Sequence, residues 1–481
     1  MRLIDEFKRI IKEGASKRLD FREVMELEVA KWKGSPERRA LIDGERYYKG
    51  EHDILHRKRQ VYNANGELVE LKKLPNHKLV DNQFAKMVNQ KTNFLLSKTI
   101  TYESENEKYD EILKTIFDAR FQRKLKRCGI DAYCGGGSWL YVYIDANGKL
   151  NFQRFAPYEI LPFWSDNDHE ELDCALRLYA VEVYDGRMQK IVEKVEIFTK
   201  EGMQRYVLEG SKLIPDVDTP VESYIQKGDE QYTWGRVPLV FFRANSHEIP
   251  LINRAKGLQD ALNMMLSDLP NAMEENVSGN GILVVKNYGG ENLAELRQNL
   301  MFYRMMKVET VDGVAGGVES LTIEINRDNY EFVLKQLKKA IIENCMGYDA
   351  KDDRIGSNAN TVNIMSMYND IDLDANDMEG EFQAAFVQLL ELVDMYLLST
   401  GKGDYRNVPV TITFNRDMII NEAEIIDNMA KLGVRLSNET LIGQLPFVRD
   451  VAKEMERMEE ENGKQADVYA AAFPPTEGIE E

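Results

Sequence analysis

The fold is decided by two stretches of the sequence, LINRAKGLQDALNMMLSDLPNAMEENV at 251–277 and RDNYEFVLKQLKKAIIENCM at 327–346. Each has a helical pattern and is long enough for a helix of roughly 30 Å at 1.5 Å rise per residue. Neither has a broad apolar face, and both carry charged residues on several sides. Because helices this polar cannot form the centre of a monomer's core, we expect them to pack against copies of themselves. We call these two stretches the polar helix pair.

The composition limits what the chain can bind. Its 481 residues include 62 Lys and Arg against 81 Asp and Glu, which gives a net charge of −19. A protein that coats duplex DNA needs the opposite sign, because non-specific affinity comes from neutralising phosphates. We therefore expect any contact with DNA to be local or weak. The length predicts more than one packing unit, and the 43% hydrophobic content is sufficient for real cores.

Cysteine spacing and hydropathy indicate the setting of the protein. The four cysteines are scattered without CxxC spacing, which is typical of a reduced intracellular protein without a zinc site or disulfides. The amino terminus has an amphipathic helix pattern and no signal-peptide core. The most apolar late stretch, Phe386–Leu398, is interrupted by Gln388, Glu391 and Asp394. We therefore expect a soluble protein with no membrane span.

The remaining patterns predict a helix-rich α+β fold. Helices are expected over Asp20–Trp32, over Pro36–Tyr48 with Ser35 as its N-cap, and over Asn82–Leu96. The section from Leu150 to Phe242 predicts β-hairpins, and Thr361–Leu398 predicts a long helix.

The glycine triplet Gly135–Gly137 does not indicate a phosphate site. It lacks the Lys-Ser/Thr of a P-loop and precedes a strand pattern instead of a helix, so a turn into a strand is expected. We find no Walker A sequence, which argues against an ATP-driven motor. Pro270 falls inside the first stretch of the polar helix pair, where it predicts a kink or a new turn.

An acidic run resembles a calcium loop but predicts a helix. Asp370, Asp372, Asp374 and Glu381 occupy the first, third, fifth and twelfth loop positions, whereas Ala375 replaces the required glycine. Apolar residues keep a helical period through the segment, so we interpret the acids as an outer helix face. The same cluster is the one plausible two-metal nuclease candidate, and it lacks a supporting His or Lys.

Histidines and lysines give weaker signals. His52 and His56 are four apart but lack an HExxH context, so a solvated surface is expected for the histidines. Lys335, Lys338 and Lys339 lie three and four apart, hence on one helix face. In a ring they would form circles of positive charge interleaved with Glu331 and Glu343.

Several segments, in collinear order over nearly the whole chain, resemble the portal proteins of siphovirus-type tailed bacteriophages, the head-tail connector portal family. They include YYKGEHDI, APYEILPFW and LPNHKLVDNQFAKMVNQKTNFLLSKTITYE. The similarity continues through GRVPLVFFRANSHEIP and the first stretch of the polar helix pair to GILVV, and resumes at VTITFNRDMIINEAEIIDNMAKLGVRLSNETLIGQLPFVRDVAKEMERMEEE. No single segment is a catalytic signature, but their combined order is specific.

The resemblance implies a ring, typically a homododecamer, at one capsid vertex, with a central channel through which double-stranded DNA is packaged and ejected. It implies a portal fold with wing, stem, clip and crown. The implied layout is wing 1–250, first stem helix 251–277, clip 278–326, second stem helix 327–347, tunnel loop 348–360, wing long helix and strand 361–415, crown 416–463 and disordered tail 464–481.

The resemblance also implies partners and site residues. The partners are further copies of the chain, the DNA, the large terminase, a head-tail adaptor, the major capsid protein and the scaffold, with no membrane and no cofactor. The location is the virion, and the host cytoplasm during assembly. The channel candidates are Lys335, Lys338, Lys339, Glu343, Lys351, Asp352, Asp353, Arg354 and Asn358. The clip docking candidates are Asn287, Tyr288, Glu291, Arg297 and Arg304.

Two alternatives to a non-catalytic conduit stay open on the sequence. One is a head-completion or scaffold-binding structural protein without a channel. The other is a metal-dependent nuclease that uses Asp370, Asp372 and Asp374.

Overall fold

The computed structural model describes residues 19–63, 65–72, 74–216, 223–227, 230–277, 282–286, 310–311, 313–321, 327–349, 361–416, 437, 454–455 and 457–458. The chain divides into two units. The first comprises Met1–Tyr348 and Asp370–Asp417, and the second comprises Asp349–Asn369 and Met418–Glu481.

Both secondary-structure types occur throughout the first unit, as the predicted α+β fold requires. The described helices are α1 (Phe21–Gly34), α2 (Pro36–Tyr48), α3 (Gln83–Leu96), α4 (Glu107–Ile116), α5 (Ala119–Gly135), α6 (Ile252–Val277), α7 (Arg327–Asn344) and α8 (Thr361–Ser399). The strands up to the polar helix pair are β1 (Gln60–Tyr62), β2 (Leu68–Glu70), β3 (Thr101–Ser104), β4 (Gly137–Ile144), β5 (Leu150–Phe155), β6 (Ile160–Trp164), β7 (Leu172–Asp185), β8 (Met188–Phe198), β9 (Met203–Glu209), β10 (Lys212–Pro215), β11 (Ile225–Lys227), β12 (Glu230–Tyr232) and β13 (Leu239–Arg243). The later strands are β14 (Ile282–Lys286), β15 (Thr310–Val311), β16 (Val314–Ala315), β17 (Gly317–Leu321) and β18 (Val410–Thr413).

The first two helices begin where their capping residues predict. Asp20 and Glu23 form a capping box, in which the Glu23 amide donates to Asp20 Oδ1 at 2.7 Å. Ser35 Oγ accepts the Arg38 amide at 3.0 Å, and Pro36 occupies the first turn of α2. The predicted starts of both helices are confirmed.

The hairpins predicted between Leu150 and Phe242 build two antiparallel sheets. One has the order β10-β9-β8-β7-β6, and the other has the order β13-β4-β5. Helix α1 packs Met25 and Val29 against the first sheet, in a core that includes Leu176, Val195 and Ile197. Strands β7 and β8 extend beyond their neighbours, and their tip exposes Tyr184.

The glycine triplet makes the expected turn from α5 into β4. Gly136 has φ of 76°, in the left-handed region that glycine adopts without steric cost. A Cβ at Gly136 would lie 2.0 Å from the Glu248 carbonyl oxygen, so no larger residue fits. Strand β4 then begins at Gly137.

From Asp370 onward, helix α8 belongs to the core of the first unit. Its Phe382 and Phe386 are fully buried, and both rings contact Phe242 and Phe414. By length and composition Tyr368–Ser399 is apolar enough to cross a membrane, but half of its most apolar window is buried inside the protein. The burial explains the apolar character of the helix by packing within the chain.

The remaining strands form two-stranded ribbons. They pair β1 with β2, β11 with β12, β14 with β17, β15 with β16 and β18 with β3. Strand β14 pairs antiparallel with β17, from Ile282 opposite Leu321 to Lys286 opposite Gly317. The tail 464–481, for which disorder is predicted, lies outside the described residues.

Only short parts of the second unit are described. They are residue 349, residues 361–369 at the start of α8, Ser437, and the helical residues 454–455 and 457–458. Arg457 pairs there with Glu454 at 3.2 Å, one turn earlier, as a helix allows.

Candidate functional site

The polar helix pair forms two helices that pack on each other within one chain. Helix α6 has 26 residues and α7 has 18, close to the predicted bounds. The Tyr330 hydroxyl donates to the Met265 carbonyl at 3.1 Å. Near the carboxyl end of α7, Ile341 and Ile342 are buried, whereas Phe332 near its start is 61% exposed. Part of the apolar surface of the pair is thus left uncovered by the described residues.

A buried polar stripe on α6 binds the backbone of residues 77–84, an extended segment that leads into α3. The stripe residues are spaced by four, all are essentially inaccessible to solvent, and each accepts one backbone N–H. The bonds run from Phe84 to Gln259 Oε1 (3.1 Å), Asp81 to Asn263 Oδ1 (3.0 Å), Leu79 to Ser267 Oγ (2.9 Å) and His77 to Asn271 Oδ1 (2.7 Å). We call this set the polar ladder.

The spacing of the polar ladder follows from helix and strand geometry. Four helical residues rise about 6 Å, and two extended residues rise about 6.6 Å. The alternate amides of His77, Leu79 and Asp81 therefore meet every fourth side chain of α6. The amide of Phe84, in the first turn of α3, meets the next one. The expectation that the polarity of α6 serves packing against copies of the chain is wrong for this stripe, which is buried within one chain. Its polar side chains accept hydrogen bonds from backbone N–H groups that would otherwise be buried without a partner.

His52 is part of the same buried network. Its Nδ1 accepts from Asn263 Nδ2 at 2.7 Å, and its Nε2 donates to the Tyr47 carbonyl at 3.1 Å. The expectation of a solvated surface is wrong for His52, which is fully buried, whereas His56 is exposed. Burial lowers the pKa of His52, and the hydrogen bond that His52 donates to the Tyr47 carbonyl opposes the shift.

Pro270 does not end α6. The helix is continuous from Ile252 to Val277 with Pro270 inside it, so the predicted new turn is not present. Ser267 and Asn271, on either side of the proline, are both held by the polar ladder. These bonds fix the helix across the point where proline removes one backbone hydrogen bond.

An exposed charged stripe follows α7. Glu331, Lys335, Lys339 and Glu343 succeed one another at four-residue spacing, with side chains 61%, 73%, 69% and 63% exposed. Lys335 pairs with Glu331 at 2.8 Å, and Lys339 pairs with Glu343 at 3.7 Å. The stripe therefore carries no net charge. The hydrogen bond that Lys335 donates to Glu331 raises the pKa of Lys335.

Lys338 differs from the other two lysines. Its Nζ lies 2.8 Å from Asp81 Oδ2, in the segment that the polar ladder holds. Lys338 therefore links α7 to the same segment that α6 binds, so both helices of the pair are fixed to residues 77–84.

The carboxyl end of α7 is anchored by a buried lysine. Lys91 of α3 donates to the Cys345 carbonyl at 2.6 Å and lies 2.7 Å from Asp374 of α8. Tyr133 donates to the other oxygen of Asp374 at 2.8 Å, and its ring lies 5.1 Å from Lys91 Nζ. Burial lowers the pKa of Lys91, and the nearby Asp374 carboxylate opposes the shift. One side chain thus connects α3, α7 and α8.

The residues that follow Cys345 have a constrained backbone. Gln90 donates to the Tyr348 carbonyl at 2.9 Å and accepts the Tyr348 amide at 3.1 Å. Met346 has φ of 52°, and Gly347 donates to the Ile342 carbonyl at 2.9 Å. This is a Schellman ending of α7 with methionine at the left-handed position that glycine usually occupies.

The acids that suggested a metal site are held by basic and hydroxyl groups. Arg416 pairs with both Asp372 and Glu379, and Glu381 pairs with Arg243 at 3.3 Å. Helix α8 passes through the segment without a loop, which confirms the helix prediction. Among the described residues, no group of three or more His, Cys, Asp or Glu has a metal-binding arrangement.

Comparison with known proteins identifies the family. The family described as "Phage portal protein, SPP1 Gp6-like" matches residues 32–467. The chain is 28% identical over 441 residues to the portal protein of Bacillus phage SPP1, covering 89% of this chain and 84% of that protein. It is 26% identical over 441 residues to the portal protein of Clostridium phage phiCD119, covering 89% of this chain and 94% of that protein.

The chain belongs to the SPP1 Gp6-like phage portal family.

The predicted resemblance is thereby confirmed. Phage portal proteins are structural components of the virion, and this matches the expectation of a protein without catalysis. The polar ladder, the charged stripe and the Lys91 anchor all lie within the matched residues.

The described part of this portal family member includes four of the channel candidates: Lys335, Lys338, Lys339 and Glu343. The other candidates lie outside it and stay predictions: Lys351, Asp352, Asp353, Arg354, Asn358, Asn287, Tyr288, Glu291, Arg297 and Arg304. Sequence reasoning missed the role of Lys91. Its place beside Phe84, Val88 and Leu95 on the apolar side of α3 was the available signal.

Proposed function

We propose that copies of this chain form a ring at one capsid vertex, and that the ring encloses the channel through which double-stranded DNA is packaged and ejected. The match of the portal family over residues 32–467 carries the proposal. The exposed surface of the polar helix pair supports it, since the described residues leave Phe332 and the charged stripe open to contacts with other molecules.

In this ring, α7 turns its charged stripe to the lumen. A conduit needs contact with DNA that is weak and independent of sequence. The stripe has equal numbers of lysines and glutamates, so it offers phosphates no net attraction beyond a Debye length of about 8–10 Å. The net charge of −19 further disfavours retention of DNA.

The finer layout follows the portal pattern. We assign α6 and α7 to the stem, residues 278–326 to the clip, 348–360 to the tunnel loop and 416–463 to the crown. The proposed ring has twelve subunits. The terminase docks at the clip and is followed there by a head-tail adaptor, and the wing or crown contacts the capsid protein and the scaffold.

Electron microscopy of the purified chain in negative stain tests the ring. We expect rings with a central hole wide enough for duplex DNA. Uniform monomers, or closed assemblies without a hole, would instead favour a head-completion protein without a channel. Incubation with duplex DNA and Mg²⁺ tests the nuclease alternative, because cleavage that disappears in Asp372→Ala would support an enzyme.

Shortening Asp349–Ser357 tests the tunnel loop. We expect rings to assemble and packaging to fail, because the anchors of Lys91 and Gln90 lie before the deletion. Normal packaging with the shortened chain would exclude this role.

A further inference from the structure

The β1–β2 hairpin exposes apolar residues on both of its faces. Val61 is opposite Val69, and Tyr62 is opposite Leu68. Because neighbouring residues of a strand point to opposite faces, one pair lies on each face. The exposed fractions are 47% and 43% for the valines, 71% for Tyr62 and 49% for Leu68. The described part of the chain covers neither face.

The exposure is concentrated in this region. Seven of the 21 large apolar side chains that are exposed among the described residues lie between residues 55 and 79. The other three are Leu55, Leu71 and Leu79. Isolated two-stranded hairpins are marginally stable in water, and contiguous apolar patches mark interaction sites. We therefore expect another molecule to cover the exposed apolar side chains of this hairpin.

The base of the hairpin is fixed to the polar helix pair. Arg57 pairs with Asp268 of α6 at 2.7 Å. Arg59 donates to the Pro75 carbonyl at 3.0 Å, and Lys78 donates to the Leu55 carbonyl at 2.8 Å. The polar ladder then begins at His77. The hairpin therefore has a set position beside α6.

The charge of the segment favours a protein partner of this chain's own composition. Residues 56–78 contain six Lys and Arg and two Asp and Glu, a net charge of +4, while the whole chain carries −19. The remaining residues therefore carry −23. Lys58 and Lys72 flank the hairpin and are exposed. The exposed side chains of Glu103, Glu105 and Glu107 carry the opposite charge to these lysines. Another copy of the chain therefore offers acidic groups to them.

We infer that the β1–β2 hairpin packs its apolar faces on the neighbouring copy of the same chain, with Lys58 and Lys72 meeting acidic groups of that copy. The inference rests on the proposed ring. A nucleic-acid partner would explain the lysines but leave both apolar faces exposed to water, so the second copy is favoured.

Site-specific crosslinking tests the contact directly. The four native cysteines are all buried, so Tyr62→Cys introduces the one exposed thiol in the described residues. The purified variant is labelled with a photoreactive benzophenone maleimide, and the crosslinked products are mapped by mass spectrometry. We expect ladders of crosslinked subunits. Crosslinks within one subunit only would overturn the inference, as would crosslinks to added duplex DNA only. Tyr184→Cys, at the tip of β7–β8, is the matched control and should give few subunit ladders.

Truncation of the apolar pairs tests the energetic contribution. The variants are Val61→Ser/Val69→Ser and Tyr62→Ser/Leu68→Ser, with Tyr184→Ser as the control at 74% exposure. Because these side chains are exposed in the single chain, circular dichroism should show unchanged folding. We expect the protein concentration for half-maximal ring formation, measured by native mass spectrometry, to rise roughly tenfold or more for each pair.

The outcomes separate the two proposals. Rings in the control and fewer rings in both hairpin variants would support the inference. Equal ring formation in all three variants would overturn it and leave the proposed function intact. Absence of rings in the unmodified chain would instead contradict the proposed function.

Discussion

Lys91 Nζ lies 2.7 Å from Asp374 Oδ1, and the lysine side chain is fully inaccessible to solvent. The same ammonium group caps the carboxyl end of α7 through the Cys345 carbonyl. A buried pair of this kind contributes little net stability when complete, but removing one partner leaves an uncompensated charge. The pair therefore makes the position of the α7 end depend on one side chain of α3.

Replacing Lys91 by Met should destabilise the chain strongly. We expect the free energy of unfolding, measured by urea denaturation, to fall by about 3–5 kcal/mol, because Asp374 loses its cation. The double variant Lys91→Met/Asp374→Leu should recover part of the loss. A single variant as stable as the unmodified chain would show that the pair is unimportant.

Removing one side chain of the polar ladder should also lower the free energy of unfolding. Asn263→Ala leaves the Asp81 amide without its acceptor and His52 without its donor. We expect a loss of about 1–3 kcal/mol in the free energy of unfolding. Asn253→Ala, at an exposed position of the same helix, is the control and should change stability much less. Equal losses in the two variants would argue against the ladder.

The ladder also shows where sequence reasoning succeeded and failed. Ser35 and Pro36 act within one turn, so their capping role was predictable from neighbouring residues. The stripe on α6 was misinterpreted because periodicity shows only that Gln259, Asn263 and Ser267 share a side. Their partners are backbone amides of a segment far away in the sequence, and backbone amides leave no sequence signal. The pairing of Lys91 with Asp374 was not predicted either, because the two residues are far apart in the sequence.

The left-handed backbone at Met346 predicts that glycine is more stable than alanine at this position. A non-glycine residue in this conformation costs about 1–2 kcal/mol, so Met346→Gly should have a free energy of unfolding roughly 0.5–1 kcal/mol above that of Met346→Ala after the entropy of glycine is subtracted. Met346→Ala removes the same side chain without relieving the backbone. The glycine variant should therefore be more stable than the alanine variant in thermal denaturation. The opposite order would exclude strain at this position.

His52 should make stability depend on pH near neutrality. Its pKa is lowered in the folded chain, chiefly by burial, so the unfolded chain binds more protons once the pH falls below the ordinary histidine value of about 6.5. Stability is therefore complete above that pH and decreases as the pH falls through the interval down to the folded pKa. A proton on Nδ1 would also face the Asn263 Nδ2 donor.

We expect His52→Gln to reduce the difference in unfolding midpoint between pH 7 and pH 5, measured by urea titration at each pH. His56→Gln, at the exposed residue of the same turn, should leave that difference unchanged. The prediction fails if the two variants show the same pH dependence as the unmodified chain.

The charge balance of the stripe on α7 can be tested by making it basic. Glu331→Lys/Glu343→Lys changes the charge by +4 in every subunit while leaving Lys335 and Lys339 in place. If the stripe faces the lumen, rings of this variant should retain duplex DNA at low salt. The retention should weaken steeply as salt increases, because counterion release drives phosphate binding. Glu182→Lys/Asp185→Lys makes the same charge change on the exposed β7–β8 hairpin and controls for net charge. Fluorescence anisotropy of labelled DNA against salt concentration measures both variants. Similar retention by the two would mean that net charge alone, and not a luminal stripe, attracts the DNA.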